Sequence, residues 1–218
     1  MMFSCDTPLF SCRIAPLGGV RPLPSRYSAT GVPKRQLEFL TGRALAEQCL
    51  TAQGASETYV ARGDNRAPIW PDGFCGSISH SDQLCAAIAG RAENVPGIGV
   101  DLAEEKSVEA ALSDVVCHPD DDPQLTLTEL FCAKEAFYKL WHPVTDVFLE
   151  FRDVVLRIDD GHITAEVMKA HRPSDKLSGT TGRIWRVAGH HLSAFSAGPH
   201  AIEALNTLGH MLKIEQGA

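Results

Sequence analysis

Gly97-Ile-Gly-Val-Asp101 and Phe131-Cys-Ala-Lys-Glu-Ala-Phe-Tyr-Lys139 are the two stretches on which the reading of this chain turns. The first is an apolar run that ends in an acid, the pattern of a buried strand with a carboxylate at its end. The second has helical spacing and sets Lys134, Glu135 and Lys139 among aromatics. A carboxylate at a strand end, together with a helix that offers Glu between two Lys, suits a metal-bound polyphosphate. Carboxylates hold Mg²⁺, and ammonium groups neutralise phosphate oxygens. The same residues also allow a purely structural reading. Asp after an apolar strand is often a turn or cap residue. Glu135 and Lys139 form an (i, i+4) pair of the kind that steadies a helix by about 0.2–0.5 kcal/mol.

Working outward, Gly76-Ser-Ile-Ser-His80 and Leu84-Cys-Ala-Ala-Ile-Ala89 read as strands, with Ser81-Asp82-Gln83 as a hairpin turn between them. Ile98–Leu102 reads as a third strand. Before them, a polar loop spans 61–73. A helix is predicted over 33–51, with Pro33 at its first position and Gly54 just past its end. Leu37, Leu40, Ala44 and Cys49 would form its buried side, while Arg35, Phe39 and Arg43, four apart, share another side. Residues 1–32 are rich in Pro and Gly and read as irregular or short-stranded. Downstream, Thr126 and Glu129 make a capping-box pattern. The helix that follows is predicted to run to about Trp141, with Pro143 as its stop. Strands are predicted over 147–158, 162–168, 183–188 and 191–196, with turns at Gly161 and Gly189. Ile202–Leu212 reads as a short helix. A helix followed by three strands thus occurs twice.

The chain has 218 residues, enough for one domain or two small lobes with a real core. Hydrophobic residues make up 44 % and charged residues 22 %, ordinary globular values. No apolar run approaches the ~20 residues that span a bilayer, and the first twenty residues lack a basic n-region, so neither a membrane span nor a secretory signal is expected. Seven cysteines without a CxxC pair fit reduced thiols in a cytoplasm. Cys132 is expected to be a small buried hydrophobe, and His190-His191 is read as part of a turn. The net charge of −7 is uneven. Residues 1–66 hold eight Lys/Arg against five acids, and residues 101–122 hold eight acids against Lys106 alone. A basic first part and an acidic middle would suit a phosphorylated ligand and a cation respectively. No basic stripe is interleaved with aromatics, which argues against nucleic acid.

Three stretches in order carry a resemblance: Trp70-Pro-Asp-Gly-Phe-Cys-Gly-Ser-Ile-Ser-His-Ser81, Gly97-Ile-Gly-Val-Asp101 and Phe131-Cys-Ala-Lys-Glu-Ala-Phe-Tyr-Lys139. Together they resemble the 4′-phosphopantetheinyl transferases, and the long surfactin- and enterobactin-synthase type more than the short trimeric carrier-protein synthases. Arg35-Gln-Leu-Glu-Phe-Leu-Thr-Gly-Arg43 is similar to the family's basic helix motif. The resemblance covers roughly residues 33–158.

The resemblance implies an α+β fold, a pseudo-dimer of two similar α/β lobes, here residues 1–100 and 101–218. It implies a monomer that moves the phosphopantetheine arm of coenzyme A onto a serine of an apo acyl or peptidyl carrier protein, releasing adenosine 3′,5′-bisphosphate. Mg²⁺ held by Asp101 and Glu135 would neutralise the pyrophosphate. Lys139 would reach the phosphates with help from Lys134, and Glu135 is a candidate to take the serine proton. Ser79 and His80 match positions that hold the nucleotide end of coenzyme A. Arg35 and Arg43 match residues on the 3′-phosphate side. Arg62 is a third contact, with Arg66 as its substitute.

One departure stands out. Relatives often read Asp-x-Glu at the metal strand, whereas Ala103 occupies the second acid position here. Either Glu104 swings in or water replaces the missing ligand, and Mg²⁺ commonly keeps several waters. The setting implied is siderophore, polyketide or nonribosomal peptide synthesis. The rivals are the same transferase serving fatty-acid synthesis and a coenzyme A-binding protein without transfer activity. Segment 103–126, with Leu112, Val115 and Val116, is the candidate docking region for the carrier.

Overall fold

Leu84-Cys-Ala-Ala-Ile-Ala89 is apolar at every position, and the computed structural model shows why: both faces of this strand are covered. Leu84, Ala86 and Ile88 point into one core, and Cys85, Ala87 and Ala89 into another. The structure describes residues 2–21, 23, 25–63, 66–105, 107–168 and 175–216; Lys106 of the acidic segment lies outside them. The strands are β1 (Phe3–Asp6), β2 (Phe10–Pro16), β3 (Ala61–Arg62), β4 (Pro68–Ile69), β5 (Phe74–His80), β6 (Leu84–Arg91), β7 (Ile98–Glu104), β8 (Val154–Asp159), β9 (His162–Val167), β10 (Thr181–Val187) and β11 (His190–Ser196). The α-helices are α1 (Pro33–Ala52), α2 (Ser113–Val116), α3 (Leu127–Thr145) and α4 (Ala201–Gln216). The fold is α+β. One sheet has the order β1-β2-β6-β5, a second the order β7-β11-β10-β9-β8, and β3 and β4 form a small ribbon.

Three apolar cores follow. Helix α1 packs Ala44, Leu45, Cys49 and Leu50 on the outer face of the first sheet. Helix α3 packs Ala133, Ala136, Phe137 and Leu140 on one face of the second. Between the sheets, Phe10, Ile14 and Ile88 meet Val100, Leu102 and Leu192, and α4 closes this space with Leu205, Leu208 and Leu212.

Helix α1 starts at Pro33 as expected and ends before Gly54, which takes a left-handed φ of 73°. Of its expected buried side, Ala44 and Cys49 are buried but Leu37 and Leu40 are only half-buried, and Glu38, Thr41 and Arg43 are buried as well. Residues 1–32, read as irregular or short-stranded, supply two paired strands. Thr7 closes their turn by donating to the Phe10 carbonyl at 2.8 Å. The expected third strand of the first half, β7, pairs instead with β11 in the second sheet. The repeat therefore reads as strands before and after each long helix, not a helix followed by three strands.

Helix α3 is capped as predicted. Thr126 accepts from the Glu129 amide, and Glu129 accepts from the Thr126 amide. It runs past Pro143 to Thr145 and stops at Asp146, which is left-handed with φ 55°. Proline there removes one donor in the last turn, and the helix absorbs that loss near its end. Residues 147–150 are not strand; a 3₁₀ turn at Phe151–Asp153 leads into β8. His190 and His191 lie in β11 and are buried, not in a turn. All seven cysteines are free, and Cys132 is fully buried as expected. No helix among the described residues is long and apolar enough to cross a membrane.

Candidate active site

The two glycines of Gly97-Ile-Gly-Val-Asp101 explain how the acid is placed. In β7, Ile98, Val100 and Leu102 face the inter-sheet core, so Gly97, Gly99, Asp101 and Ala103 face α3. A Cβ on Gly99 would lie 2.0 Å from the Ala136 carbonyl oxygen. Only glycine lets α3 come this close, and the close approach brings Lys139 to the acid one pleat further on. Lys139 Nζ donates to Asp101 Oδ1 at 2.5 Å, and Ser79 Oγ donates to the same oxygen at 2.7 Å. Asp101 is 5 % exposed. Burial pushes the Lys139 ammonium toward neutrality, but the Asp101 charge, with Glu135 behind it, outweighs this and holds its pKa above the usual lysine value.

Glu135 lies one turn before Lys139 and has no hydrogen-bond partner among the described residues. Burial raises its carboxyl pKa; Lys139 works against that and Asp101 adds to it. A partly desolvated carboxylate without a partner is suited to taking a proton. It opens on a groove of about 550 Å³ lined by Val115, Tyr138, Phe148 and Arg152.

On the other side of β5 lies a basic cavity of about 500 Å³, lined by Arg35, Arg43, Arg62, Arg66, His80 and Glu38. Arg43 is 5 % exposed, has no carboxylate partner among the described residues and leaves its Nε unsatisfied. Desolvation lowers its pKa. The guanidinium donates to the Ala61 carbonyl at 3.2 Å and lies over the Phe39 ring at 4.7 Å; Arg62 lies over the same ring at 5.9 Å. A buried arginine held by a ring and one carbonyl, with no acid, is a ready anion site. The ribbon β3–β4 brings Arg62 and Arg66 to this cavity together. Trp70 positions the start of β5: a Cβ on Gly76 would lie 2.6 Å from its ring.

Three sequence expectations separate in space. Ser79 and His80 are neighbours on a strand and face opposite ways: Ser79 joins Asp101, and only His80 lines the basic cavity. Lys134, adjacent to Glu135, is rotated about a third of a turn away on the helix. The residue is 2 % exposed, and its ammonium donates to Asp121 Oδ2 at 2.6 Å and to the Val116 carbonyl at 2.9 Å, so it braces α3 and does not reach the Asp101 cluster. Glu104, three residues from Asp101, sits on the other face of β7, opposite His190 in β11, with Oε1 3.8 Å from His190 Nε2. It is not beside Asp101 and Glu135. On the Asp101 face, His191 is the cross-strand neighbour of Ala103. No cluster of three or more His, Cys, Asp or Glu among the described residues forms a metal cage. Asp101 and Glu135 still supply hard oxygen donors of the kind that Mg²⁺ takes together with water.

The family model described as the 4′-phosphopantetheinyl transferase N-terminal domain matches residues 23–90, and that of the 4′-phosphopantetheinyl transferase superfamily matches residues 97–195. The chain is 33 % identical over 159 residues to 4′-phosphopantetheinyl transferase PptT of Mycobacterium tuberculosis, which covers 68 % of this chain and 67 % of that one. This chain belongs to the 4′-phosphopantetheinyl transferase superfamily. It is also 32 % identical over 150 residues to 4′-phosphopantetheinyl transferase Npt of Nocardia iowensis, covering 64 % of this chain and 68 % of that one. To enterobactin synthase component D of Escherichia coli it is 34 % identical over 131 residues, covering 55 % and 61 % respectively. As a member of this superfamily the chain is a transferase, and coenzyme A is the family's substrate. Sequence reasoning assigned no role to Glu38, although it stands between Arg35 and Arg43 in the basic motif. Its spacing, three after Arg35, placed it near Arg35 on the helix, but no sequence signal marked that side as the buried one.

Proposed function

We propose that this transferase moves the 4′-phosphopantetheine arm of coenzyme A to a serine of an apo carrier protein. The observation that carries the reading is Arg43, a buried cation without an acid partner in a cavity with three further arginines and His80. His80 is within electrostatic reach of Lys139 and Asp101, so the anion cavity adjoins the acid–lysine cluster. A ligand with a terminal phosphate and a pyrophosphate meets both. The arginines take the 3′-phosphate end, and Lys139 neutralises the pyrophosphate.

In the reaction the serine oxygen attacks the phosphorus that bears the pantetheine arm. The bond to the bridging oxygen breaks, and adenosine 3′,5′-bisphosphate leaves with the electron pair. Glu135 accepts the serine proton, directly or through water; its raised pKa and lack of a partner support this role. Mg²⁺ held by Asp101, Glu135 and water would supply charge neutralisation on the phosphate oxygens. The position of Glu104 across the strand favours water at the place of Ala103.

Two sheets, each with its own long helix, support a pseudo-dimer, but β7 belongs whole to the second sheet, so the lobe boundary falls before Ile98 and not at 100/101; we take the protein to act as a monomer in the cytoplasm. The carrier docks at the mouth of the Glu135 groove, where Val115 and Phe148 are exposed; Leu112 is exposed but does not line the groove, and Val116 is core and takes no part. We take carriers of siderophore, nonribosomal peptide or polyketide assembly as the setting; the relatives named enterobactin synthase component D support the siderophore part of this reading. The test is the purified protein with coenzyme A, Mg²⁺ and a panel of apo carriers, read by mass. Gain of the arm that stops in excess chelator supports the reading. Binding of coenzyme A without transfer to any carrier would instead make this a coenzyme A-binding protein.

A further inference from the structure

Glu38 is an anion where an anion site should have none. It lines a cavity with four arginines and is 6 % exposed. Its Oε2 has no hydrogen-bond partner among the described residues. The nearest cations are His80 Nε2 at 3.8 Å and Arg35 at 3.9 Å. Both gaps exceed a hydrogen bond. A buried carboxylate oxygen left unsatisfied is costly, so a group kept in this state is held for a partner that completes it. Repulsion of an incoming phosphate would be a further cost, unless the carboxylate faces a group that turns its charge to use.

We propose that Glu38 is a positioning residue that sets the orientation and charge of the His80 imidazole for the terminal phosphate of the ligand. The proposal rests on the coenzyme A reading of this cavity. With Nε2–H turned to the carboxylate, only the protonated ring also offers Nδ1–H to a phosphate oxygen, so the charge that Glu38 favours is what makes the contact; no other side-chain hydrogen bond of His80 competes among the described residues. At 3.8 Å the carboxylate acts on the imidazole through its charge, and a bound phosphate would add a second negative neighbour that favours the same protonated ring.

The charges facing His80 come from every element around it. Arg35, Glu38 and Arg43 stand on α1, Arg62 and Arg66 on the β3–β4 ribbon, Lys139 on α3, Asp101 on β7 and Asp82 in the β5–β6 turn. Burial drives the imidazole toward its neutral form, and Lys139 and Arg35 add to that; Glu38 is the strongest opposing charge. Removing the carboxylate therefore lets His80 lose its proton at lower pH. The contact to a terminal phosphate should weaken with it.

The experiment is calorimetric binding of coenzyme A and dephospho-coenzyme A to the full chain, as wild type, Glu38→Gln, His80→Gln and the double variant. It is paired with NMR titration of the His80 ring. Loss of a charge-assisted contact corresponds to about 10-fold or more in affinity. Glu38→Gln should cut the preference for coenzyme A over dephospho-coenzyme A by this order and move the His80 titration to lower pH. His80→Gln should do the same to the preference, and the double variant little more. Should Glu38→Gln not fold, Glu38→Asp keeps the charge but withdraws it, and a smaller change in both readouts is expected. An unchanged preference with an unchanged His80 titration overturns the proposal while leaving the cavity's assignment intact. Equal weakening of both ligands also overturns it, placing Glu38 on the nucleoside. A wild-type protein that does not prefer coenzyme A overturns the reading of the cavity itself.

Discussion

Gly99→Ala is a one-carbon test of how the acid–lysine cluster is built. The added Cβ would meet the Ala136 carbonyl at 2.0 Å and the Leu140 amide nitrogen at 2.8 Å. Real Cβ atoms keep at least 3.0 Å from such atoms, so α3 must retreat from β7 by about 1 Å. The obstacle is helix backbone and cannot rotate aside as a side chain would. Overpacking of this sort costs about 1–3 kcal/mol. For a chain of this size that is about 2–12 °C in Tm. The same retreat draws Glu135 and Lys139 away from Asp101, and a misplacement of about 1 Å costs on the order of 10²-fold in rate. The assay is transfer to an apo carrier at 25 °C, well below the melting point, with the folded fraction checked by circular dichroism. The expected result is a rate loss per folded molecule that exceeds what the stability loss explains. Wild-type Tm together with a wild-type rate would refute the argument that Gly99 sets the distance between helix and strand.

Three further outcomes follow from the geometry. Glu135→Gln removes the proton acceptor, and transfer should fall by about 10²-fold or more. Burial raises the Glu135 pKa in the metal-free protein, and Mg²⁺ on the same carboxylate would pull it back down, so the acid limb of the rate profile should move to lower pH as Mg²⁺ is raised and should vanish in the variant. Lys134→Met leaves Asp121 buried without its cation and should cost about 3–5 kcal/mol in urea unfolding. Its transfer rate per folded molecule should stay near wild type, and a selective rate loss would return Lys134 to the phosphates. Glu104→Ala should leave the Mg²⁺ concentration for half-maximal rate unchanged in a metal titration, because its carboxylate lies beside His190; a large rightward shift would mean that it reaches the metal.

The parts of this site that were legible in the sequence are those in which a residue type admits few uses. The apolar run that ends in Asp101 and the Glu135–Lys139 spacing each constrained one face of one element, and the structure keeps both faces, whereas the need for glycine at position 99 shows only once α3 lies against β7. What was not legible arose where neighbours in a motif were taken as neighbours in space. Ser79 and His80 alternate across a strand, and Lys134 and Glu135 diverge around a helix. The basic helix motif gave Arg35 and Arg43 but not the burial of Glu38, because burial depends on β5 lying across the helix. The first two strands were hidden by their shortness and by Thr7, Pro8 and Leu9, which form the turn between them. The partner of β7 could not be read locally, since β11 lies some ninety residues further along.

The core between the two sheets belongs to neither half of the chain alone. Phe10, Ile14 and Ile88 come from before residue 92, while Val100, Leu102, Leu192 and Leu205 come from after it. A nick in the short link between β6 and β7 would leave two fragments, each with a bare apolar face of the kind found in obligate interfaces. Apart, such fragments should be soft and prone to aggregate; mixed, they should dock and restore the cleft. In the intact chain the link acts as a tether that sets a high effective concentration of one face for the other. Unfolding is then expected as a single transition, and a ligand gripped mainly by the first half should protect amides of the second from exchange.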